Sequence, residues 1–217
     1  MVQQQVFFQS VSFANNLVLR AENLACARGA RKVFAQLDFQ LKAGEAMAVY
    51  GANGSGKTSL LRLIAGFLTP RDGALSLSGD GHEATQCHYL GHTDGLKANL
   101  TVAETLSFTA RILGHDGAAL DLSMLGLTAH QQQMVGDLSA GQKRRLMLAR
   151  LIIAPRQIWL LDEPLTALDE QGRQLIDQLA QDHLATGGMI VAASHERLGF
   201  AGHRLQLNRQ NHDMAAV

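Results

Sequence analysis

Gly51-Ala52-Asn53-Gly54-Ser55-Gly56-Lys57-Thr58 constrains this chain more than any other stretch. It matches GxxxxGK[ST] at every defined position. Ahead of it, Ala46-Met47-Ala48-Val49-Tyr50 is a short apolar run, the pattern of a buried strand. Behind it, Leu60, Leu61, Ile64 and Leu68 recur at helical spacing. Strand, glycine loop and helix in this order make a phosphate-binding loop. The glycines let the backbone curl so that successive N–H groups converge on an anion, and the helix adds its positive end. On this reading Gly51, Asn53, Gly54, Ser55, Gly56, Lys57, Thr58 and Ser59 hold a nucleotide. Lys57 brings a compact charge to the β- and γ-phosphates, and Thr58 offers a hydroxyl to Mg²⁺.

Ile158-Trp159-Leu160-Leu161-Asp162-Glu163 reads as the other half of such a site. Four apolar residues place a strand in the core, and Asp162 emerges at its carboxyl end, where ligands bind in open α/β sheets. An acid there can hold Mg²⁺ through water. Glu163, next in the chain, is placed to act as general base toward an attacking water.

The remaining periodicity surrounds these two segments with strands and helices. A strand-like pattern from Leu24 ends in a turn at Arg28-Gly29-Ala30, and residues 33–41 alternate apolar and polar. Residues 88–137 read as mostly helical, with 104–113 the clearest stretch and Asp116-Gly117 a break. Helices are expected over 139–153, capped by Ser139 and stopped before Pro155, and over 174–181. Residues 189–193 read as a third buried strand. Buried strands separated by helices imply a parallel sheet covered on both faces. Hydrophobic residues make up 47% of the 217, a globular composition. Lys+Arg and Asp+Glu both total 19, which argues against wrapping nucleic acid by charge, so no nucleic-acid partner is expected. The two cysteines, Cys26 and Cys87, form no CxxC pair and read as reduced thiols. No apolar run reaches the ~20 residues of a membrane span, and residues 1–20 lack the basic start of a signal peptide.

Leu138-Ser139-Ala140-Gly141-Gln142 is a small-residue turn capped by serine at a helix start, a second anion site. It resembles the ABC transporter signature, with Ala140 replacing one glycine. Gln142-Lys143-Arg144-Arg145-Leu146 continues that pattern, Leu165-Thr166-Ala167-Leu168-Asp169 resembles the D-loop, and Ser194-His195 resembles the switch histidine. The resemblance implies an α/β, phosphate-loop NTPase fold of the ABC type: a mostly parallel core, antiparallel N-terminal strands and a helical subdomain. Its boundaries would be an extension over 1–20 and an ATP-binding domain over 21–217, with the subdomain at about 88–150. It further implies ATP and Mg²⁺ as ligands and a homodimer. Lys57 and Thr58 of one copy would face Ser139, Gly141 and Gln142 of the other across one ATP. Asp169 would lie at the seam, and His195 would contact the γ-phosphate.

Two positions depart from the general pattern. His92 stands where the family carries a glutamine, and Arg28 where an aromatic stacks on adenine. Gly91-His92-Thr93-Asp94-Gly95-Leu96-Lys97 and Leu100-Thr101-Val102-Ala103-Glu104-Thr105-Leu106 resemble one branch, the cytochrome c maturation ATP-binding subunits or haem exporter ATPases. There a histidine also fills the glutamine place. This implies integral membrane partners and a peripheral position on the cytoplasmic face of the inner membrane. No direct haem binding is expected, and the nine histidines suggest no metal site. The competing readings are an ABC motor for a metal, lipid or drug, a soluble ABC protein of DNA repair or translation, and a small-molecule kinase. The single cassette argues against the second of these and the signature against the third.

Overall fold

The computed structural model describes Phe8 and residues 11–79, 87–91, 95–114 and 122–207. His92 and Asp116-Gly117 lie outside the described residues, as do most of residues 1–10. Three antiparallel strands form one sheet in the order β2-β1-β4, with β1 Val18–Arg28, β2 Arg31–Lys42 and β4 Asp72–Ser78. The β1–β2 connection is the expected turn, with Gly29 in the left-handed region at φ +59°. β1 starts at Val18, six residues before the first strand-like residue of the sequence reading and inside the expected extension. Glu22 and Asn23 explain the difference. They interrupt the buried alternation of Leu19 and Ala21, the register shifts between Ala21 and Leu24, and Asn23 has φ +48°. A polar bulge hides the first half of the strand from a period-2 pattern.

Five parallel strands form the second sheet in the order β5-β6-β7-β3-β8. They are β3 Ala46–Gly51, β5 Cys87–Leu90, β6 Ile158–Asp162, β7 Met189–Ala193 and β8 His203–Leu207. Both faces are covered. Met47, Val49, Ile158, Leu160, Met189 and Val191 point into one core with the antiparallel sheet and helix α1, Lys57–Ile64. Ala46, Ala48, Trp159, Leu161, Ile190 and Ala192 point into the other. That second core holds Met147, Leu148 and Leu151 of α3, Ala140–Ile153, and Ile176, Leu179 and Ala180 of α4, Glu170–Ala185. It also takes in Phe8, whose ring meets Trp159 edge-on at 5.8 Å.

The region read as mostly helical is more mixed. Cys87–Leu90 is strand β5, paired with β6 at the sheet edge, so the expected subdomain boundary near 88 falls inside the central sheet. Four apolar-biased residues carry no period that separates strand from helix. Helix α2, Val102–Ile112, is the clear stretch, closed by a capping box between Thr101 and Glu104. Three short 3-10 turns follow, Leu122–Leu125, Thr128–His130 and Val135–Asp137. Val102, Leu125, Leu127, Val135 and Leu138 form a core of their own against Leu146 and Ala149 of α3. Helix α3 therefore belongs to both halves of the molecule and carries Ser139 at its exposed end.

Candidate nucleotide site

The glycine run spans the end of β3 and the start of α1. Gly51, Gly54 and Gly56 have φ +155°, +78° and +106°, so the chain turns through conformations that a side chain resists. A β-carbon on Gly56 would lie 2.6 Å from Val33 Cγ1 and 2.9 Å from Phe34 Cδ1. The β1–β2 hairpin thus packs directly beneath the loop. Helix α1 has no side-chain cap, which leaves its first N–H groups directed at the loop. Ser55 Oγ is buried without a hydrogen-bond partner. An orphan hydroxyl, a concave glycine backbone and an uncapped helix end suit a phosphate group.

The side chains above the loop come from strand ends. Lys57 Nζ donates to the Gly51 carbonyl at 2.9 Å and lies 3.0 Å from His195 Nε2 and 4.0 Å from Glu163 Oε1. Thr58 Oγ1 donates to Asp162 Oδ2 at 2.8 Å. Asp162 ends β6, and His195 follows β7 by two residues, so the parallel pairing of Asp162 with Ala193 sets both on one edge. His195 Nε2 also lies 3.3 Å from Glu163 Oε1, and the His195 N–H donates to Glu163 Oε2 at 3.3 Å. The two ring contacts are alternatives. An unprotonated Nε2 accepts from Lys57, whereas a protonated Nε2 faces Glu163. Hydroxyl and carboxylate oxygens, as at Thr58 and Asp162, are the donor set a hard divalent cation takes.

An open cleft of about 780 Å³ lies over this cluster. Asn53, Gly54, Gly56, Lys57, Thr58 and Ser59 line it, as do Asp162, Glu163 and His195. Arg28, Arg31 and Arg62 add positive charge at its walls. The structure therefore gathers most of the expected nucleotide residues on one concave surface and places Arg28 there with them.

Ser139, Gly141, Gln142 and Asp169 do not line that cleft. Ser139 is exposed at the start of α3, and its hydroxyl accepts from the Gln142 N–H at 3.2 Å while Gln142 Oε1 accepts from the Ser139 N–H at 2.8 Å. Gln142 Nε2 lies 2.9 Å from His130 Nε2, and His130 Nδ1 lies 2.7 Å from Gln133 Oε1. Asp169 caps α4 through the Gly172 N–H at 2.9 Å and faces Arg145 at 3.8 Å. The capped turn at the start of α3 is formed, and it lies outside the lining of the chain's own cleft.

A profile described as ABC transporter matches residues 34–166. The Cytochrome c biogenesis ATP-binding export protein CcmA of Bradyrhizobium diazoefficiens is 53% identical over 196 residues, covering 87% of this chain and 97% of that one. The chain belongs to the CcmA family of ABC transporter ATP-binding proteins. The CcmA of Rhodopseudomonas palustris strain HaA2 is 47% identical over 194 residues with the same coverage. Among solved structures, a putative ABC transporter ATP-binding protein from Pyrococcus furiosus matches with a TM-score of 0.72 at 22% identity, over 88% of this chain and 97% of that one. An ATP-binding subunit of an ABC transporter matches with a TM-score of 0.76 at 23% identity, over 88% and 86%. At those identities the structural likeness speaks for the fold, which agrees with the expected ABC-type arrangement. Membership of this family implies ATP binding.

Arg144 is a feature that motif reading passed over. It sits in the signature continuation, yet its side chain is buried, 7% exposed, beneath Asp162 and Glu163. Flanked by Lys143 and Arg145 in the sequence, it carries no local signal that sets it apart from a solvated charge run.

Proposed function

We propose that this chain is the ATP-hydrolysing subunit of an inner-membrane complex for cytochrome c biogenesis. The reading is carried by relatives named for cytochrome c biogenesis export, among them ones 53% and 43% identical and matched over most of their length. Hydrolysis would power haem export or release of a haem-loaded chaperone. The chain would sit peripherally on the cytoplasmic face, with the membrane spans supplied by other subunits. No helix among the described residues is long and apolar enough to cross a membrane.

In this reading the loop N–H groups cradle the phosphates. Lys57 leaves the Gly51 carbonyl and His195 to take the β- and γ-oxygens. Thr58 and Asp162 would hold Mg²⁺, which would supply positive charge against the phosphates. Glu163 accepts a proton from the attacking water. His195, released by Lys57, orients the γ-phosphate. Ser139, Gly141 and Gln142 of a second copy close on the same phosphate, with Asp169 at the seam. The absence of Ser139, Gly141 and Gln142 from the lining of their own chain's cleft supports this assignment.

Glu163→Gln tests it. ATP binding is expected to persist while hydrolysis slows by roughly 10²–10⁴. The variant should elute as a dimer with ATP and Mg²⁺. A monomer under those conditions, or wild-type turnover, would refute the shared site.

A further inference from the structure

We propose that Arg144 is a positioning residue that holds the Glu163 carboxylate in its working place; this rests on the reading of Glu163 as general base. Glu163 adopts φ +50°, a left-handed backbone in a residue with a full side chain. Such a conformation persists only where the surroundings impose it. Arg144 imposes it. Its Nη2 donates to the Glu163 carbonyl at 2.8 Å and to the Asp162 carbonyl at 3.1 Å, and its Nε donates to the Pro164 carbonyl at 3.4 Å. Three consecutive carbonyls curl round one guanidinium. Its Nη1 reaches the Gly91 carbonyl at 3.2 Å, just beyond the end of β5.

On the other side of the turn, the Glu163 N–H is fixed to the Ala193 carbonyl at 2.9 Å. With the backbone held on both sides, the side chain leaves the turn from a fixed point, and its carboxylate lies 4.0 Å from Lys57 Nζ and 3.3 Å from His195 Nε2. A planar fork with five donors can span four carbonyls lying in different directions; an ammonium, which radiates from one point, cannot. The arginine also stands five residues beyond Ser139 on one rigid helix. The signature turn and the base of the chain's own site are thereby tied to the same bar.

The test is a double-mutant cycle in the full chain, read by single-turnover hydrolysis alongside ATP affinity. Arg144→Met should lower the hydrolysis rate 10- to 100-fold while ATP affinity stays within about twofold. Arg144→Lys should recover little of the loss. In the Glu163→Gln background, Arg144→Met should cost less than threefold, because the group it positions is gone. An equal loss in both backgrounds would make Arg144 a purely structural residue and overturn the proposal while leaving Glu163 as base. Failure of both Arg144 variants to bind ATP would overturn it in the same way. Wild-type hydrolysis in Glu163→Gln alone would instead remove the underlying reading, and the proposal with it.

Discussion

Gly56 shows how tightly single residues are held at the loop. It has φ +106° and faces the side chains of Val33 and Phe34, so two independent demands forbid a β-carbon. Left-handed backbone costs an ordinary residue about 1–2 kcal/mol, and overpacking a tight contact costs about 1–3 kcal/mol. Gly56→Ala should therefore destabilise the fold by about 2–5 kcal/mol. The urea midpoint checks this, and a change below 1 kcal/mol would mean the hairpin gives way freely. Lys57 offers the contrasting case. Its ammonium is provisionally satisfied by the Gly51 carbonyl and by His195, which makes burial of a charge at this site tolerable before any anion arrives.

Among the elements, α3 has the most varied duties. Its cap is reciprocal, since Ser139 and Gln142 each satisfy the other's backbone N–H. Ser139→Ala should cost about 1 kcal/mol, whereas Ser139→Gly should cost only a few tenths. Both remove the hydroxyl. If that hydroxyl serves the partner's phosphate, Ser139→Gly should abolish ATP-dependent dimerisation in the Glu163→Gln background with little loss of thermal stability. Dimers that persist would confine Ser139 to capping. The elements differ in how legible they were. The loop-flanking segments β3, α1, β6 and α3 announced themselves, because apolar strands and a capped helix leave a local pattern. β4 did not; Asp72–Ser78 is mostly exposed, and its alternation is confined to Leu75 and Leu77. β8 is likewise mostly exposed along His203–Leu207, and only pairing with β3 makes it a strand. Helix α4 runs from Glu170 to Ala185, beyond 174–181 at both ends; Asp169 caps its start, and its end is closed by the Thr186 N–H. Most of the cleft was legible for a related reason: loop residues are consecutive. The buried partners of that cleft were not. Arg144 reaches Gly91 across 53 positions, a contact no local pattern encodes.

At the scale of the whole molecule, two histidines stand out from the catalytic surface. His88 is buried against the Ala154 carbonyl, and burial pulls it down from the usual value to about 4. His183 lies within the second core, stacked on Trp159 at 3.9 Å, and burial pulls it to about 3. The unfolded chain binds protons at these sites from about pH 6.5 downward, while the folded chain does not. Stability should thus be flat above neutrality and fall as pH drops from about 6.5. Each histidine contributes a slope of about 1.4 kcal/mol per unit, levelling only near its folded value. Urea midpoints between pH 7.5 and pH 5 check this, a window above the titration of most carboxylates. A constant midpoint would mean the two rings gain protons without unfolding.

The imidazole lying flat on Trp159 has one more consequence. Trp159 is the only tryptophan in the chain and has no solvent exposure. It sits three residues before Asp162 on the same strand. The protein thus carries a single tryptophan fluorophore, shielded from water and stacked on an imidazole. Its emission reports the integrity of the interior below the phosphate loop without any added label.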